Sequence, residues 1–181
     1  MKQQIADILS HHEKKKITSQ NLKASAVLMP IFYDQGGYHI LFTERSDEVD
    51  SHKGQVCFPG GTQEPSDSSL LQTALREINE EIGLETENIE ILGELDDALT
   101  FVTDYVISPF VAFISDPPAL RTNGREVKGT FSVPLSFLMN EANFKQDAQS
   151  YEYGGHIIWG ATARILRQFI GLLNSESGAS Q

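Results

Sequence analysis

The apolar positions of this chain change period several times, and each change marks an element. In MKQQIADILSHHEKKK, Ile5, Ile8 and Leu9 recur as one face in an otherwise polar stretch, which predicts an N-terminal helix. KASAVLMPIFYD and YHILFTER are rich in β-branched and aromatic residues. Gln35-Gly36-Gly37 separates them, so the pair predicts a β-hairpin. GQVCFPGG reads as a short strand entering a turn at Gly60-Gly61, where glycine permits positive φ and close backbone approach. Ser66, Asp67 and Ser68 offer N-cap oxygens to a helix over about residues 68–82, and Gly83 stops it.

Strand-like runs follow in IEILGELDD, YVISPFVAFI, VKGTFSVPL and HIIWG, with loops at Asp116-Pro117-Pro118 and Thr122-Asn123-Gly124. Over residues 160–173, Ile165, Leu166, Phe169, Ile170, Leu172 and Leu173 gather largely on one side, predicting a last helix. Strands mixed with a few helices in a non-repeating order give an α/β or α+β class, with helices covering a mixed sheet. No repeat or long linker interrupts the pattern. A single domain is therefore expected over residues 1–181, with residues 1–20 as a helical extension and residues 174–181 as a frayed tail.

Charge and cysteine content narrow the function. A net charge of −11 and a pI near 4.8 argue against broad contact with nucleic acid or an anionic membrane. They leave room for a small anionic substrate, because bound metal ions invert the local field. No apolar run is long enough to span a bilayer, and the polar start is unlike a signal peptide. The single cysteine, Cys57, excludes an internal disulfide framework and suits a reducing cytoplasm, the expected location. Cys57 and Trp159 are expected to pack in the core, and His11 and His12 to sit at a solvated helix end.

The chemistry concentrates in REINEEIGL, residues 76–84. On a wheel of about 100° per residue, Leu71, Leu75, Ile78 and Ile82 form a core stripe, while Glu77, Glu80 and Glu81 share a neighbouring face. Like charges one turn apart repel, and carboxylates near a helix C-terminus oppose its dipole. Alone, such a run is most often a solvated acidic face. A glycine pair after a strand, followed by an acidic helix, changes that balance. Carboxylates one turn apart suit a hard divalent cation such as Mg²⁺ or Mn²⁺, which takes oxygen ligands and substrate phosphates.

With these residues the sequence resembles the Nudix hydrolase family, whose box reads G-x5-E-x7-R-E-U-x-E-E-x-G-U, with U a bulky apolar residue. Arg76 to Leu84 matches the second half at every specified position. In the first half, Gly61 to Asp67 keeps five intervening residues, but Asp replaces Glu, and eight residues rather than seven precede Arg76. That departure looks like the coenzyme A pyrophosphatase branch. So do Leu41-Phe42-Thr43-Glu44-Arg45-Ser46, His52, Gly54, Gln55 and Phe58-Pro59-Gly60-Gly61. Further likeness lies in Thr73-Ala74-Leu75, Pro109-Phe110-Val111, Val133-Pro134-Leu135 and Ile158 to Ala163, so it spans about residues 25–170.

The resemblance implies a Nudix-type α/β/α sandwich and Mg²⁺- or Mn²⁺-dependent hydrolysis of a diphosphate. For coenzyme A the products are 4′-phosphopantetheine and adenosine 3′,5′-bisphosphate. By motif position Glu77 and Glu81 are the first metal ligands and Glu80 is a ligand or general base, with the backbone carbonyl of Gly60 or Gly61 a further ligand. Gly60, Asp67, Arg76 and Gly83 take structural roles, and Arg76 is an ion-pair partner that fixes a glutamate. Arg45, His52 and Lys53 are the candidates for substrate phosphate, while Arg121 and Arg125 read as surface charges. A general base outside the box is left open among Asp104, Glu126 and Glu152. The alternatives are a Nudix enzyme for ADP-ribose or a dinucleotide, and a non-catalytic Nudix module that binds a nucleotide or protein. The expected partner is a small nucleoside diphosphate derivative, with no nucleic acid and no membrane; the family includes monomers and homodimers.

Overall fold

The long apolar run of residues 23–34 needs cover on both faces, and the fold supplies it. The computed structural model of the chain describes residues 1–19, 21–46, 54–100, 104–115 and 120–178. The elements on the N-terminal side are α1 (Lys2–His11), β1 (Lys23–Asp34), β2 (Gly37–Arg45), β3 (Val56–Cys57), β4 (Gly60–Thr62) and α2 (Leu70–Ile82). Next come β5 (Ile89–Glu94), β6 (Ala98–Leu99), β7 (Tyr105–Ile114), β8 (Val127–Pro134) and α3 (Leu135–Met139). The chain closes with β9 (Phe144–Lys145), β10 (Ser150–Tyr153), β11 (His156–Ile158) and α4 (Gly160–Gly178).

The main sheet runs β3-β2-β1-β7-β5, with β4 on β1, β6 on β7 and β8 on β2. β1 and β7 are parallel, from Lys23 opposite Tyr105 to Phe32 opposite Ile114, and the other pairings in this sheet are antiparallel. Side-chain alternation along β1 then divides the core. Ala26, Leu28 and Phe32 meet Ala74, Ile78 and Ile82 of α2 on one face. Met29 and Ile31 join Ile5 and Leu9 of α1 and Leu166, Phe169 and Ile170 of α4 on the other. The result is an α/β/α sandwich around a mixed sheet, as expected. A glycine at β5 sets the approach of α1: a Cβ on Gly93 would stand 2.5 Å from Leu9 Cβ.

Several expectations shift. α2 begins two residues later than expected, because Ser69 supplies the cap and its hydroxyl accepts from Gln72 N at 3.2 Å. Gly83 ends the helix in the left-handed region, at φ 69°, as its position implied. Gly60 and Gly61 lie in strand β4 rather than in a free turn, and they pair with Val27 and Ala26. α4 continues to Gly178, past the expected start of a frayed tail. Trp159 is 49% exposed, so it is not a core residue; it precedes the first turn of α4 and faces out. Cys57 is in the expected strand, and burial pushes its thiol up to about 11. His12 is not simply solvated, since its Nε2 lies 2.9 Å from Asp96 Oδ1. Among the described residues no helix is long and apolar enough to cross a membrane.

Candidate active site

The site is built where β4 passes under α2. Gly60 sits at φ 154°, and a Cβ there would be 2.2 Å from the Ala26 carbonyl oxygen, so only glycine fits this strand pairing. Gly61 serves a different purpose. A Cβ on it would stand 2.2 Å from Glu77 Oε1, so its bare backbone makes room for that carboxylate. The main-chain N–H of Gly60 donates to Glu81 Oε2 at 3.2 Å. Both glycines thus bring backbone against the glutamates.

Glu81 is only 3% exposed, although it is charged at its ordinary pKa. Burial and the negative charge of Glu77 push its carboxyl up to about 8, against the Gly60 N–H and the Arg45 guanidinium, which favour the anion. Glu77 is raised too, by burial, with Arg76 opposing. This is a pocket of negative charge short of counter-charge.

Arg76 supplies part of that charge and braces the helix start. Its Nε and Nη2 donate to the two oxygens of Asp67, each at 3.1 Å, and Nη2 reaches the Thr62 carbonyl at 3.2 Å. Nη1 donates to Glu80 Oε2 at 3.0 Å and stands 3.0 Å from Glu77 Oε1. Asp67 is buried and also accepts from Thr73 Oγ1 and the Glu64 N–H. The Arg76 hydrogen bonds hold its carboxyl well below the usual carboxylate range. Asp67 therefore acts as a structural brace despite replacing the longer Glu. Glu80 is drawn outward to Arg76 and its side chain is 53% exposed.

Two other segments close on this corner. A register shift between Glu44 and Arg45 re-aims the end of β2, and Arg45 lowers the pKa of both Glu81 and Cys57. The Arg45 Nε is buried and meets no acceptor among the described residues. The 121–126 loop caps α2: Arg121 N donates to Ile82 O, and Asn123 N to Glu81 O, both at 3.0 Å. Glu126 follows on that loop, and its negative charge raises both Glu77 and Glu81. Of the other acids left open, Asp104 accepts from Lys23 N through its carbonyl, and Glu152 is paired with Lys145 in the β9–β11 sheet. His52 and Lys53 lie outside the described residues.

Residues 22–152 match the NUDIX domain family. The chain belongs to the Nudix hydrolase family. Among its Nudix relatives, NudL of Photorhabdus laumondii is 35% identical over 84% of this chain and 86% of its own length. The peroxisomal coenzyme A diphosphatase of Mus musculus is 36% identical over 67% of this chain and 51% of its own length. Solved Nudix structures share the fold. The Caenorhabditis elegans Ap4A hydrolase complex aligns over 85% of this chain and 99% of its own, with a TM-score of 0.59 at 16% identity. The NUDIX domain of Shewanella oneidensis NrtR, complexed with ADP ribose, aligns over 95% and 97%, with a TM-score of 0.59 at 18% identity.

Nudix hydrolases generally use divalent metal ions, and the donor set here fits one. Burial first, then the negative charges of Glu77 and Glu126, disfavour the anionic form of Glu81, a field a cation relieves. The described residues do not hold a ready-made cluster of three or more ligating His, Cys, Asp or Glu side chains. Glu80 stays on Arg76, so the box carboxylates are adjacent without converging on one point.

Proposed function

We propose that the chain is a Mg²⁺- or Mn²⁺-dependent coenzyme A diphosphatase, acting on coenzyme A or its derivatives. The observation that carries this reading is the joint between the stretch resembling the coenzyme A branch and the carboxylate corner. Arg45 N donates to Gln55 O at 3.0 Å and Gly54 N to Arg45 O at 3.1 Å, while Thr43 pairs with Cys57. That frame leads directly into Gly60, whose N–H holds Glu81. The likeness to the mouse peroxisomal coenzyme A diphosphatase supports the same substrate.

In this reading Glu77 and Glu81 hold the ion, with Glu80 and the Gly61 carbonyl as further oxygen donors. A divalent cation held by these groups would supply charge neutralisation for the diphosphate and would acidify water. Glu126, exposed and electrostatically coupled to Glu77 and Glu81, accepts the proton of the attacking water. The water oxygen bonds to one phosphorus as the bridging P–O bond breaks, and that bridging oxygen leaves with the second phosphate. One water is consumed, and 4′-phosphopantetheine and adenosine 3′,5′-bisphosphate result. Arg45, with His52 and Lys53, provides positive charge for the 3′-phosphate.

Comparing turnover of coenzyme A, ADP-ribose, NADH and diadenosine polyphosphates under one metal condition tests the reading. The expected result is the highest kcat/KM for coenzyme A. Turnover of ADP-ribose with coenzyme A untouched would leave a Nudix diphosphatase of another specificity. No turnover of any of them would favour the non-catalytic module.

A further inference from the structure

We infer that Asn123 is a positioning residue that fixes the Glu126 carboxylate to the helix carrying Glu81. The inference rests on the diphosphatase reading and on the part Glu126 takes in it. Asn123 makes contacts in two directions. Its main-chain N–H donates to the Glu81 carbonyl at 3.0 Å, at the C-terminal end of α2. Its side-chain Oδ1 accepts from Glu126 N at 3.0 Å and Val127 N at 3.3 Å. Its Nδ2 makes a longer contact, 3.5 Å, with Glu126 Oε2. The same residue therefore touches the backbone of one site carboxylate and both the backbone and the side chain of another.

The rest of the loop completes the clamp. Arg121 N caps the Ile82 carbonyl at 3.0 Å, and Ser46 N donates to the Glu126 carbonyl at 2.8 Å. Gly124, at φ 69°, turns the chain between the two ends of the bracket. The Glu126 peptide is thereby held on its N–H side by Asn123 and on its carbonyl side by the residue after Arg45. Its side chain is exposed, so an ordering contact has more to do here than in the core. Asparagine carries an acceptor for the two N–H groups and a donor for the carboxylate on separate atoms, so one side chain meets both at once. Aspartate would keep the first function and lose the second, adding a negative charge beside Glu126.

This division makes the role separable from folding, because the Asn123 main-chain bond to Glu81 survives a side-chain change. The test is a double-mutant cycle of Asn123→Ala and Glu126→Gln, read as kcat and KM on the diphosphate the wild type turns over fastest. Mn²⁺ affinity without substrate is measured alongside. Loss of a general base lowers kcat by roughly 10²- to 10⁴-fold, which is the range expected for Glu126→Gln. Misplacing that base is expected to lower kcat by about 10- to 100-fold in Asn123→Ala, with KM and Mn²⁺ affinity little changed. The double variant is expected to be no slower than Glu126→Gln alone, because Asn123 acts through Glu126. Asn123→Asp, which keeps the turn and loses the donor, is expected to be as slow as Asn123→Ala, and it is read in its place if the alanine variant does not fold.

Additive losses in the double variant, or full kcat in Asn123→Asp, would overturn the inference while leaving the diphosphatase reading intact. Wild-type kcat in Glu126→Gln would instead remove Glu126 from the proposed chemistry, and Asn123 with it. Absence of any diphosphate turnover by the wild type would overturn both.

Discussion

Glu81 concentrates the physics of the site in one residue. Its carboxyl is pushed up to about 8 from an ordinary 4.5, so between those values the folded chain binds a proton that the unfolded chain has released. Stability must then fall as pH rises through that window, because the unfolded chain gains from ionising while the folded chain holds the proton against burial. Below about 4.5 both states are protonated and the penalty is absent. Glu81→Gln keeps an oxygen for the Gly60 N–H and removes the charge, so the metal-free variant should melt several degrees higher than wild type at pH 8. The difference should shrink toward pH 5, and thermal melts across that range check it. Mn²⁺ should raise the wild-type melting temperature more at pH 8 than at pH 6, where protons compete for the carboxylate, and should do little for Glu81→Gln. The spacing of Glu77, Glu80 and Glu81 is legible in the sequence because helical geometry fixes it. Glu126 can be named from the sequence only as one acid among three, because its approach depends on main-chain bonds from a loop to the end of α2, 45 residues from Glu81 by their numbers.

The pairing of β4 with α2 turns two adjacent glycines into different elements of the design. Gly60→Ala sets a methyl against the Ala26 carbonyl, a backbone atom that cannot move away, and should cost about 3 kcal/mol or more of stability. Gly61→Ala meets the end of the Glu77 side chain, which can swing aside. That variant should fold with a melting temperature near wild type and yet lose Mn²⁺ affinity and at least about 10-fold in turnover, since a site carboxylate is displaced. Denaturant unfolding and Mn²⁺ titration of the two variants separate these outcomes. The glycine pair and most of the apolar stripe of α2 stand out in the sequence, because each obeys a local rule; Leu75 is the exception, since Ala74 rather than Leu75 joins the core beside Ile78 and Ile82. The cap does not: Ser66, Asp67, Ser68 and Ser69 all carry suitable oxygens, and Asp67 is taken by Arg76, which leaves Ser69 to accept from Gln72. The short strands β9 and β10 are also hidden, since two to four residues are too few to display a period.

Across the whole molecule, a net charge of −11 surrounds a site proposed to receive a polyanion. The chain gathers Arg45 and Arg76 at that corner, but Arg76 is engaged by Asp67, Glu77 and Glu80, so local protein charge leaves the carboxylates under-compensated. In the proposed reaction, cation binding and diphosphate binding would thereby be linked, each reducing the cost of the other. The sandwich itself was readable from the alternation of strands and amphipathic helices. The strand order was not, because the parallel β1–β7 pair joins segments 82 residues apart by their first positions, Lys23 and Tyr105. Exposure of Trp159 also escaped the sequence, since a large aromatic after the apolar Ile157-Ile158 pair carries no mark of facing outward. The most direct measurement is the mass spectrum of products formed from coenzyme A by wild type and Glu81→Gln, each with and without Mn²⁺. The account predicts 4′-phosphopantetheine and adenosine 3′,5′-bisphosphate from the wild type with metal alone. Intact coenzyme A in that sample, or both fragments from Glu81→Gln at the wild-type rate, would contradict it.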